Sequence, residues 1–362
     1  MSRAQTPRIA DVARRARVSL ATVSRALNGK SSVDPTLAAR VHAAATELGY
    51  RPNHAARNLR ARSSTVWGIV VADITNPFFT RIVRAVQDAA WKERRTVIVC
   101  NTDEDLDRER GAIDVLVAEG VGGVIIAPAS ETATDVRPLI DRGIPVVAID
   151  RRLPTAVDCV LVDNVAGGRA ATEHLLGAGA RHLACITGPR DTTTARERLL
   201  GFRQVLAAAG AGRGAFSHAD YREDGGRAAL LRWIREDRLP DGVFVANNLM
   251  TLGVLRAAYE QGIGVPGDLR VVGFDELPWG GGVAGQVPVV VQPTTAMAEA
   301  AVAMLARREA GDRGPARNVV LTPRLHAPDW SAKLTAVAGL LPFAGCPETL
   351  DPDSPHQLVR RP

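Results

Sequence analysis

From Val66 to Asn164 the chain keeps returning to one pattern: a short run of aliphatic and β-branched residues (VWGIVVAD, TVIVCN, GVIIAP, PVVAID, CVLVDN), then a turn or an amphipathic stretch. Runs without a polar residue at every second place have no face to give to water, so they fit strands buried on both sides. The intervening stretches supply the helices that bury them. The pattern restarts at GGRAATEHLLGAGARHLACITGP, continues through DGVFVANN and MTLGVLRAAYEQG, and reaches LRVVGFDE. Two successive βαβ sets predict an α/β core of two doubly wound parallel-sheet subdomains, with ligands bound beyond the strand C-terminal ends in a cleft between them. The segment QPTTAMAEAAVAMLARREAG and then NVVLTPRLHAP add one more helix and strand.

The N-terminus follows a different period. IADVARRA, RVS and LATVSRAL read as two short helices around a tight turn, with Val12, Ala13, Val18, Val23 and Leu27 spaced to form one apolar seam. Ser19 suits the N-cap of the second helix, since its hydroxyl can accept an orphan backbone N–H. The other face of that helix offers Leu20, Ala21, Thr22, Ser24 and Arg25. The planar fork of an arginine there suits phosphate or guanine. Asp34 as N-cap with Pro35 behind it, then Leu37, Val41, Ala45 and Leu48, predicts a third helix closed by Gly49. Three helices in so short a stretch make a small all-α helix-turn-helix headpiece.

Charge follows the same division. Residues 1 to 63 hold 12 Lys and Arg against Asp11, Asp34 and Glu47, while the remainder holds 33 against 36 acids. Positive charge concentrated at one end, over a nearly neutral body, is an electrostatic footprint for nucleic acid. After the headpiece, Asn53 can cap a short helix, HAARNLRA, too short to be stable alone in water, and Ser63 and Ser64 mark a linker. Beyond Trp330 a proline-rich segment without sustained period reads as a flexible tail.

Other classes are excluded on composition and spacing. At 362 residues the chain exceeds one hydrophobic core. It has no run near the roughly 18 apolar residues of a membrane span. Its first residues have no apolar segment of the secretory kind, which predicts a cytoplasmic protein. Cys100, Cys159, Cys185 and Cys346 form no C-x-x-C pair and read as small buried hydrophobes, Cys100 and Cys185 above all; the histidines are scattered, so no metal is expected. Gly280, Gly282 and Gly285 satisfy G-x-G-x-x-G, yet VPVVVQ follows instead of a helix, and neither a nucleophile elbow nor a P-loop occurs. The chain reads as a non-enzyme, with no cofactor and no catalytic residues.

In order, IADVARRARVSLATVSRALNG, VDPTLAARVHAAATELGYRPNHAARNLR, GIVVADITNPFF, VDNVAGGRAATEHLL, ARERLLGF, VFVANN and LRVVGFDELP resemble the LacI/GalR family of bacterial transcription regulators. The similarity runs from about Ile9 to about Trp330. It implies a headpiece on operator DNA and a core like the type I periplasmic sugar-binding proteins. It also implies that Leu20, Ala21 and Arg25 read base edges, while Thr22, Ser24 and Asn28 hold phosphates or adjacent bases, with Ser19 among the DNA-binding residues. The segment from Asn53 would enter the minor groove, with Leu59 as a wedge flanked by Arg57 and Arg60. Partners implied are pseudo-palindromic operator DNA, a second copy of the chain, and a small effector.

The effector-binding set lies at the ends of the apolar runs. Asn76, Phe78 and Phe79 follow the first run; Asp150 and Arg151, Arg196, Asn247, Asp275 and Gln292 stand elsewhere at such ends, with Tyr221 as a further aromatic wall. The same positions in ribose-type receptors carry the same chemistry, so the resemblance implies a monosaccharide, a pentose or small hexose, bound in the cleft. The family's Asn-Asp is Asn247-Asn248 here, and Trp279 to Gly285 is glycine-rich where relatives are bulkier. The rival reading is a sugar receptor of a transport system without a DNA role. The expected division is 1–52 headpiece, 53–64 hinge and linker, 65–330 core (about 65–163 plus 293–323, and about 164–292 plus 324–330) and 331–362 tail. No leucine heptad follows Trp330, which favours a dimer over a tetramer.

Overall fold

A computed structural model describes residues 7–27, 33–50, 64–277 and 287–327. Asn28, Asn53, Arg57, Leu59 and Arg60, the Trp279 to Gly285 loop, Cys346 and the tail lie outside the described residues.

The headpiece has three helices, α1 (Ile9–Ala16), α2 (Leu20–Leu27) and α3 (Pro35–Glu47). The seam read from the sequence is its core: Val12, Ala13, Ala16, Val23, Ala26, Val41, Ala44 and Ala45 are buried together, with Val18 and Leu27 packed against them. Asp11 starts α1 by accepting the Arg8 backbone N–H at 2.9 Å. Asp34 starts α3 by accepting from Thr36 and Leu37. Arg17 takes the left-handed conformation at the turn into α2 (φ 51°), an uncommon place for a residue with a β-carbon. The Arg40 guanidinium donates to the Ala16 carbonyl at 2.6 Å and so satisfies the end of α1.

The remaining elements are β1 (Val66–Val71), α4 (Pro77–Lys92), β2 (Thr96–Asn101), α5 (Leu106–Glu119), β3 (Val124–Ile126), α6 (Arg137–Ile140), β4 (Val146–Ile149), β5 (Asp158–Val162) and α7 (Asn164–Gly177). They continue with β6 (Leu183–Thr187), α8 (Thr193–Ala208), β7 (Ala215–His218), α9 (Glu223–Arg235), β8 (Gly242–Val245), α10 (Asn248–Glu260), β9 (Arg270–Phe274), β10 (Val289–Val291), α11 (Thr294–Glu309), β11 (Asn318–Leu321) and β12 (Arg324–His326). One sheet runs β11-β5-β4-β3-β1-β2 and the other β12-β10-β9-β8-β6-β7, so the strand order repeats. All strand neighbours of the first sheet are parallel, with Gly68 opposite Val124 and Val66 opposite Thr96. The segment after α11, read as one strand, supplies two, and one joins each sheet.

By contacts the core divides into two units. The first holds residues up to Gly167, Gly188–Gly201 and Gln292–Arg324; the second holds Gly168–Thr187, Phe202–Val291 and the segment from Leu325. Gly188–Gly201, expected with the second subdomain, thus groups with the first. The reason is chemical: the Glu131 carboxylate accepts the Thr193 backbone N–H at 2.5 Å, and Arg198 Nε donates to Asn164 Oδ1 at 2.9 Å.

The first sheet is covered on both faces, as its apolar runs require. Ile69 and Val71 face Phe78, Phe79, Ile82, Val86 and the small residues Ala298 and Ala301. Val70, Val124 and Ile126 face Ile113, Leu116 and Leu139. In the second unit, α9 and α10 approach so closely that a β-carbon on Gly253 would lie 1.9 Å from the Glu223 carbonyl oxygen. Cys159 and Cys185 are buried, but Cys100 is only half-buried, because β2 is the edge strand of its sheet and not a central one.

Candidate effector site and nucleic-acid interface

In the first unit, polar groups gather where strands end. Beyond β1 a loop turns on Asp73, whose Oδ1 accepts the Thr75 N–H at 2.9 Å, and on Asn76, whose Oδ1 accepts the Phe78 N–H at 3.0 Å and starts α4. Asn76 therefore serves as a buried N-cap. Phe78 and Phe79 meet edge to face, centroids 5.0 Å apart, and both belong to the apolar core of the unit. Both are buried, because α4 begins with them against the sheet.

Beyond β4 stands Asp150, buried, with φ 69° and its N–H on the Val160 carbonyl at 3.0 Å. Burial pushes its carboxyl up from the ordinary value, against the pull of Arg151 and Arg198. Arg151 is also buried and forks onto Glu104, with Nη1 to Oε2 at 2.6 Å and Nη2 to Oε1 at 2.7 Å. Its Nη1 donates as well to the Pro128 carbonyl, and its Nε stands 3.6 Å from the Asp150 carboxylate. Neither Glu104 nor Pro128 was read as part of the site, because they reach it from loops after other strands.

Beyond β5, Asn164 accepts from Arg198 and donates from Nδ2 to Glu197 Oε2 at 3.2 Å. Asp150, Arg151, Arg152, Leu161, Asn164, Thr193, Thr194 and Glu197 line one small cavity. Here the structure departs from the sequence reading. Arg196 is half out in solvent, its side chain 54% exposed and turned to the Asp191 carbonyl at 2.8 Å and to Thr193. Arg198, two residues on, is 3% exposed and faces Asn164 and Asp150. Residues two apart on a helix lie about 200° round the axis, so ARERLLGF presents one arginine inward and the other outward. The apolar phase of Ala195, Leu199 and Phe202 was the signal that could have told them apart. Gln292, just past β10, is buried, and its carbonyl accepts the Thr294 N–H at 2.9 Å.

The second unit repeats some of these positions. Asp275 follows β9 as Asp150 follows β4, buried and with the same φ of 69°, its N–H on the Val290 carbonyl at 2.8 Å. Asn247 caps α10 by accepting the Met250 N–H at 2.9 Å, and its Nδ2 donates to the Tyr221 carbonyl at 2.7 Å. Tyr221 is half-buried at φ 62°. Asn248, the departure from the family's acid, still accepts its neighbour's N–H at 2.8 Å and donates to Glu276. An amide supports the helix start here without a charge.

On the headpiece, the Ser19 hydroxyl accepts the Thr22 N–H at 3.1 Å and pairs with the Thr22 hydroxyl, which confirms it as the cap of α2. Leu20 is 53% exposed, Ala21 and Arg25 are exposed, and Thr22 and Ser24 are half-buried. Arg25 Nε donates to the Ala21 carbonyl at 3.2 Å, which lays its side chain along the exposed face of α2. Two other headpiece arginines are paired internally, Arg15 with Glu47 at 2.7 Å and Arg14 with Asp11 at 3.2 Å.

Residues 8–53 match the model of bacterial regulatory proteins of the lacI family, and residues 172–327 match a periplasmic binding protein-like domain. The ribose operon repressor of Halalkalibacterium halodurans is 36% identical over 285 residues, 79% of this chain and 85% of the relative. The chain belongs to the lacI family of bacterial regulatory proteins. The ribose operon repressor of Escherichia coli is 31% identical over 87% of this chain and 97% of its own length. Among solved structures, the Lac repressor bound to ONPG in the repressed state superposes with a TM-score of 0.76 at 26% identity, over 89% of this chain and 98% of that one. The headpiece and parallel-sheet core expected from the sequence are thus those of the family. Among the described residues, no helix is long and apolar enough to cross a membrane.

Proposed function

We propose that this chain is a transcriptional repressor, acting in the cytoplasm, that binds a pseudo-palindromic operator as a homodimer and releases or grips it in response to a monosaccharide. The division proposed is that of the sequence reading, 1–52 for the headpiece, 53–64 for the hinge and linker, and 65–330 for the effector core. It carries out no catalytic step. The observation that carries the effector reading is the buried grouping of donors and acceptors beyond β4 and β5, Asp150, Arg151 and Asn164, with Arg198 reaching Asn164 from α8. Adjacent hydroxyls of a sugar both donate and accept, and a site with both kinds of group, held by neighbours, rejects molecules lacking them. Asn76, Phe78, Phe79 and Gln292 are further proposed effector residues of the same unit, and Tyr221, Asn247 and Asp275 are the proposed effector residues of the second unit, taken by itself. Arg198 replaces Arg196 as the inner cation of the first unit.

On the DNA side, Leu20, Ala21 and Arg25 are the proposed base readers, with Ser19, Thr22, Ser24 and Asn28 on the backbone. Arg57, Leu59 and Arg60 are the proposed minor-groove segment, started by Asn53. Coupling of about 1 to 3 kcal/mol between sugar and operator changes affinity about 5- to 150-fold. The test has two arms. A thermal-shift panel of D-ribose, other pentoses and hexoses, and sugar phosphates should give a shift that Arg198→Ala abolishes and Arg196→Ala leaves; the reverse pattern returns the role to Arg196. Selection from random duplexes should enrich a palindrome, with Arg25→Ala weakening it by about 1 to 3 kcal/mol and relaxing one base pair. A chain that enriches no duplex is a receptor and not a repressor.

A further inference from the structure

Arg95, Glu309 and Trp67 of the first unit form one cluster at the point where the chain enters the sheet, and Arg95 carries it onto a backbone carbonyl. Ser64 was read as part of a linker, yet it is buried. Its hydroxyl accepts the Val66 N–H at 3.2 Å, and its carbonyl accepts Arg95 Nη1 at 2.7 Å. The other fork of Arg95 pairs with Glu309 Oε2 at 2.9 Å. That same oxygen accepts Trp67 Nε1 at 3.2 Å, and the guanidinium lies over the Trp67 ring, 5.6 Å from its centroid. Gly122 leaves the room: a β-carbon there would stand 3.0 Å from the Ser64 carbonyl and 2.7 Å from Glu309 Oε1.

The sheet does not need this cluster. Its ladder to β2 begins with Val66 opposite Thr96, and main-chain bonds from Thr96 to Thr65 and from Gly122 to Val66 already hold the strand start. A largely buried ion pair, kept as a pair, adds little net stability, because desolvation offsets its attraction; it is the removal of one partner that is costly. What the cluster adds is a fixed place and direction for residue 64, the end of the stretch that joins headpiece to core.

We infer that Arg95, held by Glu309 and Trp67, is a positioning residue for DNA binding: it fixes where the tether to the headpiece leaves the core. The inference rests on the repressor reading above. Two headpieces reach paired half-sites together only if their tethers depart from set points, since a tether that wanders lowers the effective concentration of the second contact. Binding to DNA of mixed sequence depends on phosphate charge and has no such requirement.

Arg95→Lys keeps a cation opposite Glu309 but loses the planar fork that holds Glu309 and the Ser64 carbonyl in one fixed geometry. The duplex used is one selected on the wild-type protein, beside a mixed-sequence duplex of equal length, and the thermal midpoint is measured in parallel. Arg95→Lys should bind the selected duplex about tenfold more weakly, with mixed-sequence affinity and thermal midpoint unchanged. The inference falls if selected-duplex affinity is unchanged, or if both affinities or the thermal midpoint drop with it. A wild-type chain that selects no duplex instead removes the repressor reading, and the inference with it.

Discussion

In the first unit the buried charged side chains are Glu109, Asp150, Arg151, Asp158 and Arg198; in the second, among the described residues, Asp275 is the one buried charge, in the company of Asn247, Asn248, Thr251 and Ser217. The strand order is the same in both, and Asp150 and Asp275 share a position and a backbone conformation. The difference shows that the fold sets where polar groups can stand while the sequence sets their kind. Charges that must be paired make the first unit sensitive to single neutralisations. Amides that cap helices make the second sensitive chiefly to its packing.

The sharpest way to break that contrast is at Asp158. Its side chain is 1% exposed and takes two bonds from Arg308, Nε to Oδ2 at 2.8 Å and Nη2 to Oδ1 at 2.7 Å, as well as the Arg317 N–H at 2.8 Å. Arg308→Ala leaves that carboxylate uncompensated and should cost about 3 to 5 kcal/mol by denaturant titration. A loss under the cost of the substitutions below would remove the claim that charge pairing dominates the first unit. In the second unit, Gly253→Ala drives a methyl into the Glu223 carbonyl and should cost roughly 1 to 3 kcal/mol as α9 and α10 separate. A neutral result there would mean that the two helices part freely.

Smaller effects come from the caps and from pH. Asn76→Ala and Asn247→Ala each remove an N-cap acceptor and should cost about 1 kcal/mol apiece. Similar values in both units would show that capping, unlike charge, is shared. For Asp158, burial alone would raise the carboxyl, but the bonds from Arg308 and Arg317 hold it below the ordinary 3.8. Its contribution is therefore present above that pH and lost as pH falls through the lowered value. Glu109 is the opposite case: burial raises its carboxyl above 4.5, against the Ala129 N–H, which it accepts at 2.7 Å. Its contribution is full below 4.5 and declines as pH rises through the raised value. Stability titrations of Asp158→Asn and Glu109→Gln should flatten the acid and the rising-pH limb respectively; one limb responding to both would sink the assignment.

Much of this is legible in the chain alone. Alternating runs and helices gave both sheets, because strands without a polar face must be covered on both sides. Val12, Val23 and Val41 marked the headpiece core, and Ser19 and Asp34 marked helix starts, since those signals act within one or two turns. Site residues were legible as strand ends, not as partners. Glu104 reaches Arg151 from 47 positions away, and Glu131 reaches Thr193 from 62, distances over which no periodicity carries information. Cys100 was misjudged for the same reason, as an edge strand and a central one have the same composition here.

The sequence by itself determined the elements, the concentration of positive charge before residue 64 and the membership of the family, because propensity, capping and patterning are local and additive along the chain. The tertiary structure alone decided which carboxylates are paired, and that Ser64 is held in place and not left as linker. Those choices depend on groups brought together from separate loops and helices, where burial makes each charge demand a particular neighbour.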